Sequence, residues 1–442
     1  MSVSSEDKKL RLDKDDSTPG KYWGRDEKRL WGASLFISCA SLYTTRSVMP
    51  MSIVSVAKDV HWDKVQKGTV LSAFFWGYCM TQVLGGYLSD RIGGDIVLIV
   101  SATGWALITF WTPFIIKLSS DQHTAMVLVV ISRVLLGCFQ GVHFPSVTSI
   151  VCRKVNDQER SLIYSFITSG SQLGILICGS VGSILLERFG WSSVFYVSGC
   201  AGICWVFFLK YYLVAQQRKK QIVLSMKDNI VAGEKSHTDS GAVPWLLFFR
   251  KPPFWAIIVA HFCHTNAFFI LFSWLPTYFH DNFPDAKGWV FNVVPWIVTI
   301  PSAILGGHLA DLLIRKGYSV TFTRKFLETL SQVPLAICLL LIGQNLHSYT
   351  NSVILMTIAV SASSLHKAGV MVNSTDISPR HPGSVMGVMN MAGAIPGFIG
   401  VYIAGYILET TKSWAAVFNQ TAVVTTIGWL TFMIFGSGKK IV

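Results

Sequence analysis

The sequence predicts an all-α membrane protein with twelve transmembrane helices arranged as two six-helix bundles. Composition is the first ground: 51% of the 442 residues are hydrophobic, only 14% are charged, and 15 Trp and 28 Phe bring the mean hydropathy to +0.47. Water cannot solvate so apolar a chain as an ordinary soluble domain. The second ground is a series of apolar stretches of about 20 residues, the length that crosses about 30 Å of hydrocarbon. The third is an internal repeat. Gly85-Gly86-Tyr87-Leu88-Ser89-Asp90 recurs 221 positions later as Gly306-Gly307-His308-Leu309-Ala310-Asp311. Leu186-Glu187 followed by Trp191 and Val194-Phe195 recurs as Leu408-Glu409 followed by Trp414 and Val417-Phe418. A parallel repeat with apolar spans in both copies is the plan of a carrier whose bundles enclose a central cavity.

Residues 1–30 are polar, hold eight Lys and Arg, and lack an apolar core to be cleaved, so they read as a cytosolic tail and not as a signal peptide. Spans follow near 31–53, 68–89, 96–116, 125–147, 162–186 and 193–214, which makes 31–214 the N-terminal bundle. Residues 215–253, with Arg218, Lys219, Lys220, Lys227, Lys235, Arg250 and Lys251, read as a cytosolic linker. The C-terminal bundle, 254–435, has spans near 254–279, 289–310, 325–344, 351–373, 384–408 and 416–435, and residues 436–442 form a short cytosolic tail.

The net charge of +13 raises nucleic acid as a partner, and the placement of the charge excludes it. With both termini in the cytosol, the inner loops and tails hold 26 of the 37 Lys and Arg, the outer loops 7, and the spans 4. That asymmetry is the positive-inside rule, so the basic balance reports topology in a lipid bilayer. Eight of nine cysteines lie in apolar spans, with Cys152 in a loop, and read as small core residues. Asn373 and Asn419 open glycosylation sequons but stand on the cytosolic side and against a span. The tail from Gly436 to Lys440 lacks the spacing of a phosphate loop, no Ser/His/Asp or metal-ligating set stands out, and an enzyme is not indicated.

Ionisable residues inside spans carry the functional reading, since a charge at mid-bilayer costs roughly 2.5 to 3.5 kcal/mol unless it meets a polar cavity or a partner. Arg46, Arg133, Lys210 and Lys367 lie within spans. Counting a rise of about 1.5 Å per residue places Arg46 and Arg133 at one level, about 8 to 12 Å below the outer surface, with Tyr78 and His264 in reach of it. No Asp or Glu occurs in the first, fourth, seventh or tenth span to neutralise the arginines. A guanidinium offers a permanent charge and a two-pronged donor to carboxylate or phosphate, so both are candidate anion ligands. Lys367 and His264 join them as weaker candidates, each able instead to snorkel or pack, and Lys210 near an inner helix end reads as snorkelling. Tyr78, beside Trp76, is a candidate base platform. Asp90, Arg91 and Asp311 occupy the short cytosolic turns between paired helices, where charge pairs suit a gate that breaks when the bundles rock.

The turn from Gly86 to Gly94 (GYLSDRIGG) and its degraded copy resemble the major facilitator superfamily motif. The segments from Phe74 to Gln82, from Arg133 to Pro145, from Asn373 to Asp376 with Pro379, and from Gly387 to Asn390 resemble solute carrier family 17, the organic-anion and vesicular transporters. Within that family, the stretch from Phe283 to Trp296 is similar to the branch that loads ATP into secretory vesicles. The resemblance implies that Arg46 and Arg133 are the essential membrane arginines and that chloride activates transport; no chloride site and no other cofactor is legible. It also marks departures. Glutamate-loading and sialic-acid-exporting members carry Glu where this chain has Gln140, and glutamate transporters carry His at Leu71 and Arg at His264.

These readings converge on a membrane-potential-driven carrier that moves ATP and related nucleotides from the cytosol into secretory vesicles or lysosomes by alternating access. The alternatives are a proton-coupled, sialate-like organic-anion exporter and a phosphate or urate carrier. The compartment rests on the resemblance, since residues 26–31 only approach an acidic dileucine signal.

Overall fold

A computed structural model describes residues 22–62, 64–118, 122–215, 243–283, 294–344 and 348–441, and every regular element among the described residues is helical. The helices of the first half are α1 (Arg25–Val60), α2 (Lys64–Ile92), α3 (Gly94–Lys117), α4 (His123–Lys154), α5 (Arg160–Phe189) and α6 (Trp191–Tyr211). The second half repeats them as α7 (Pro252–Asn282), α8 (Val294–Arg315), α9 (Val320–Gly343), α10 (Tyr349–Ile377), α11 (Pro382–Thr411) and α12 (Trp414–Phe435). The sequence expectations for residues 1–21, for the body of the linker (216–242) and for 284–293 in the nucleotide-branch stretch lie outside the described residues.

Ten of these helices are long and apolar enough to cross a membrane by composition alone. α1 and α2 have the length but carry more polar residues, and the structure shows why: Ser38, Thr45 and Ser52 of α1 and Gln82 and Ser89 of α2 are buried against neighbouring helices. Large side chains such as Val100, Phe114, Leu305, Tyr402 and Ile434 stay exposed on the outside, the inverse of a water-soluble fold. Several spans begin or end beyond the expected limits. α1 starts at Arg25, with Asp26 and Glu27 in its first turn facing the positive end of the helix dipole. Arg324, expected in a loop, lies inside α9 and is 1% exposed.

The repeat holds at the level of single contacts. Trp191, first in α6, donates its indole N–H to Asp59 at the end of α1 at 2.6 Å; Trp414, first in α12, does the same to Asp281 in α7 at 3.2 Å. Gly190 between α5 and α6 has φ of 80°, and the matching turn between α11 and α12 places Lys412 at φ of 51°. Glycine adopts the left-handed region freely, whereas a side chain there costs roughly 1 kcal/mol, so the second copy of the turn is the strained one.

Within the first half α2 packs on α4, α1 on α5 and α3 on α6; in the second, α12 packs on α7 and α9. Small residues allow this. A Cβ on Gly77 would strike the Val134 carbonyl, and one on Gly137 the Phe74 carbonyl, so α2 and α4 meet backbone to backbone. The halves join through α2 with α11 and α5 with α8. Trp23 donates its backbone N–H to Lys154 and Ile441 donates to Ile377, so residues 22 and 441 mark one end of the bundle, here the terminal end. The opposite end is the far end.

Candidate functional site

α1 carries Arg46 into an aromatic cage. Its guanidinium carbon sits 4.7 Å from the Tyr43 ring centre, 5.0 Å from Phe74 and 4.5 Å from Tyr78, while Phe74 and Tyr78 stack on each other at 5.5 Å. Ring faces hold a cation without neutralising it. Arg46 Nε donates to Gln140 Oε1 at 3.0 Å, and Gln140 Nε2 donates in turn to Thr45 Oγ1 at 3.1 Å. Arg133 of α4 reaches the same Phe74 ring, at 5.3 Å, and is 4% exposed. Among the described residues no carboxylate lies within ion-pair distance of either arginine, and Nη2 of Arg46 and Nε of Arg133 are buried without a partner. Two positive charges thus share a level in the first half, held by π faces and an amide.

The second half contributes a stack of imidazoles. His264 and His366 lie face to face at 3.8 Å with 8° between planes, and His261 meets His366 edge to edge, with ring centres 5.3 Å apart and planes 14° apart. His366 is tied to the buried Glu328 of α9 at 2.9 Å and to His261 at 3.1 Å, while Gln332 donates to His264 Nδ1 at 3.0 Å. α10 breaks its α-helix over Ser364–Lys367, where a tighter turn sets His366 and Lys367. Lys367 crosses to the first half, donating to Gln172 Oε1 at 2.8 Å and to the Thr168 carbonyl at 3.1 Å.

These side chains surround one cavity. An inner chamber of about 130 Å³ is lined by Arg46, Tyr78, Gln172, His264, Lys367 and Asn390, among others. A larger chamber of about 470 Å³ continues toward the far end between Arg46, Arg133, Phe74 and Pro50 on one side and Phe268 and Phe272 on the other. Tyr43, Arg46 and Phe75 belong to both chambers. Of the five substrate candidates read from sequence, all therefore face one space, whereas Trp76 stacks outward on Phe398.

The terminal end is shut by a reciprocal device. Asp90 of α2 accepts the backbone N–H groups of Gly383 and Ser384 at 3.1 and 2.8 Å, together with the Ser384 hydroxyl at 2.8 Å. Asp311 of α8 accepts the N–H groups of Ser161 and Leu162 at 3.2 and 2.8 Å. Each half thus caps the first turn of a helix in the other half, where unpaired N–H groups and the helix dipole favour a carboxylate. This differs from the charge pairs expected from sequence. Arg91 is exposed and donates to Tyr87 at 3.0 Å, on its own helix; Arg153, not singled out before, contacts the Asp90 carbonyl. Gly86 completes the seal, since a Cβ there would strike the Gly383 carbonyl.

Sequence reasoning missed Glu328, His261, His366, Gln332 and Gln172. Glu328 lies near an expected span end, where an acid passes as interfacial; the histidines form a cluster only once α7 meets α10. Arg324 was missed as a buried ion. It clamps Asp376 through Nε at 2.7 Å and Nη2 at 3.2 Å, and also bonds Ser161 across the halves.

Comparison with known proteins agrees with this geometry. A family model described as Major Facilitator Superfamily matches residues 34–401. The chain is 41% identical over 95% of its length to the "Voltage-gated purine nucleotide uniporter SLC17A9" of Homo sapiens, covering 94% of that protein. It is 31% identical to the chloroplastic ascorbate transporter of Arabidopsis thaliana, over 95% of this chain and 77% of that one. Among solved structures, the proton:xylose symporter XylE superposes with a TM-score of 0.76 at 14% identity over 94% of this chain and 98% of its own. FucP in the outward conformation gives 0.65 at 12% identity, over 93% of this chain and 100% of its own. The chain belongs to the Major Facilitator Superfamily, in the solute carrier family 17 branch of anion transporters.

Proposed function

We propose that this protein is a uniporter for purine nucleotides such as ATP, driven by membrane potential, with the terminal end in the cytosol and the far end facing the lumen of a secretory vesicle or lysosome. The observation that carries the reading is the uncompensated pair Arg46 and Arg133, with neutral Gln140 bonded to Arg46, on a cavity that continues toward the far end. Polyphosphate supplies the negative charge that this site lacks, and guanidinium forks bind it with paired hydrogen bonds. A polyanion on two fixed cations crosses as a net anion, and a lumen-positive potential moves each such charge with about 2.3 kcal/mol per 100 mV. Uphill loading then needs no co-transported proton.

The cycle alternates access. With Asp90 and Asp311 in place, the site communicates with the lumen; release of both caps lets the halves rock and opens it to the cytosol. Chloride belongs to the proposal as an activator, with no site assigned.

The test is uptake of radiolabelled ATP into liposomes holding the purified chain, under a lumen-positive potassium-diffusion potential without a pH gradient, with and without chloride. Saturable uptake that is lost in Arg46→Ala and in Arg133→Ala supports the reading. A second reading has an observation of its own. The buried Glu328–His366 pair is a titratable site of the kind a proton-coupled organic-acid exporter uses. Transport of a monovalent organic acid only under a pH gradient, with none of ATP, would select that reading instead.

A further inference from the structure

The cavity wall from the second half has a chemistry that phosphate does not need. His264, whose Nδ1 accepts from Gln332, carries its proton on Nε2, and His366 packed on one ring face fixes its orientation. Asn390 of α11 is 6% exposed, lines the inner chamber, and has its Nδ2 without a partner. Asn390 lies beside His261, which is bonded to His366 and through it to Glu328, so this side chain packs against a hydrogen-bonded set of rings. Two N–H donors therefore share this wall with Phe268, Phe269 and Trp296, with Phe268 and Trp296 5.7 Å apart edge to face.

The cation on this side, Lys367, is turned to Gln172 and the Thr168 carbonyl of the first half, away from His264 and Asn390, and an aliphatic group would strand both donors. A flat heteroaromatic ring with acceptor nitrogens on its edge answers both features, stacking on the rings and accepting from the donors. Resting on the nucleotide reading above, we propose that this wall is the purine subsite: His264 and Asn390 read the edge of the base while Arg46 and Arg133 hold the polyphosphate. The atom read is N7, the acceptor that adenine and guanine share on the edge remote from the sugar and that pyrimidines lack. Glu328, His366, His261 and Gln332 act as positioning residues.

Full-length protein in liposomes tests this with three inhibitors of ATP uptake: UTP, 7-deaza-ATP and inorganic triphosphate. In the wild type, UTP and 7-deaza-ATP are expected to inhibit roughly tenfold more weakly than ATP, the loss of one hydrogen bond to a buried donor. His264→Phe keeps a flat ring over His366 and removes the N–H; it should raise the KM for ATP about tenfold and abolish discrimination against 7-deaza-ATP, with inhibition by inorganic triphosphate unchanged. Asn390→Ala should behave alike. Parallel weakening of ATP and triphosphate in either variant would overturn the assignment by placing phosphate on this wall. Equal inhibition by ATP, UTP and 7-deaza-ATP in the wild type overturns the base subsite alone and needs no folded variant. Absence of any ATP uptake, with another organic anion carried, brings down the nucleotide reading and this subsite with it.

Discussion

Asp90→Asn separates a gate from a fold. The carboxylate holds three hydrogen bonds across the two halves, from Gly383 N, Ser384 N and Ser384 Oγ, and it faces the dipole of α11. Hydrogen bonds to a charged acceptor contribute about 1.5 to 3 kcal/mol each and neutral ones about 0.5 to 1.5, so an isosteric amide forfeits on the order of 1 kcal/mol per bond. The helix dipole adds about 0.3 to 1 kcal/mol. The closed terminal end therefore loses about 2 to 4 kcal/mol relative to the open one, a shift of roughly 30- to 700-fold in their ratio. The chain carries its own reporter: Cys152 is 7% exposed in the seal, with its thiol 3.8 Å from the Pro379 carbonyl. In a variant whose remaining cysteines are serine, a charged, membrane-impermeant thiosulfonate applied from the terminal side should modify Cys152 faster by that factor. Asp311→Asn should accelerate it independently, and the double variant should approach the reagent's limiting rate. An unchanged rate in Asp90→Asn, with fold and thermal stability retained, would refute the capping argument.

Other substitutions probe charge and packing. Gln140→Glu places a carboxylate where Arg46 Nε is bonded at 3.0 Å; potential-driven ATP uptake should fall at least tenfold at neutral pH and recover as the medium is acidified and the new carboxyl is protonated. Arg324→Ala strands Asp376 in a pair whose side chains are 2% and 10% exposed, and should cost about 3 to 5 kcal/mol, seen as a loss of thermal stability in detergent; Arg324→Met with Asp376→Leu should recover much of it. Gly86→Ala and Gly77→Ala add the same methyl at different interfaces. The first should speed Cys152 labelling with little change in melting temperature, whereas the second, inside the α2–α4 contact, should lower the melting temperature.

The legible part of this protein is what periodicity and repetition record. Span length gives the helices, and the copied motif gives two halves and predicts that whatever Asp90 does, Asp311 does again. The arginines were legible because a charge in an apolar span has no innocent neighbour at its own spacing. Sequence does not carry the partner of a residue when that partner is another helix. Asp90 beside Arg91 suggests an ion pair, yet consecutive helical residues diverge, and the carboxylate turns instead to the backbone N–H groups of Gly383 and Ser384. His264 reads as a candidate ligand, but His261, one turn before it on α7, gives no sign of a role until α10 brings His366 against both rings. Arg324 and Asp376 are 52 positions apart, and only the meeting of α9 with the end of α10 makes them a pair.

The two halves also differ in what they ask of a ligand, and the difference follows from side chains one atom type apart. Gln140 offers Arg46 an oxygen without a charge, so the first half keeps a positive surplus that a substrate must meet. In the second half Glu328 and His366 bond each other at 2.9 Å, so the carboxyl group already has its partner within this half. Lys367 is bonded to Gln172 and the Thr168 carbonyl of the first half, and beside it the second half offers neutral groups: donors, ring faces and an amide. A ligand that satisfies both walls needs several negative charges at one end and an uncharged aromatic edge at the other, held apart by a linker that spans the cavity. Inorganic phosphate meets only the first demand and a nucleoside only the second, and a nucleotide meets both. The same asymmetry sets the energy source. Because no carboxylate among the described residues neutralises either arginine, no proton need enter or leave for the anion to bind, and the field across the membrane acts on the charge that the arginines leave uncompensated.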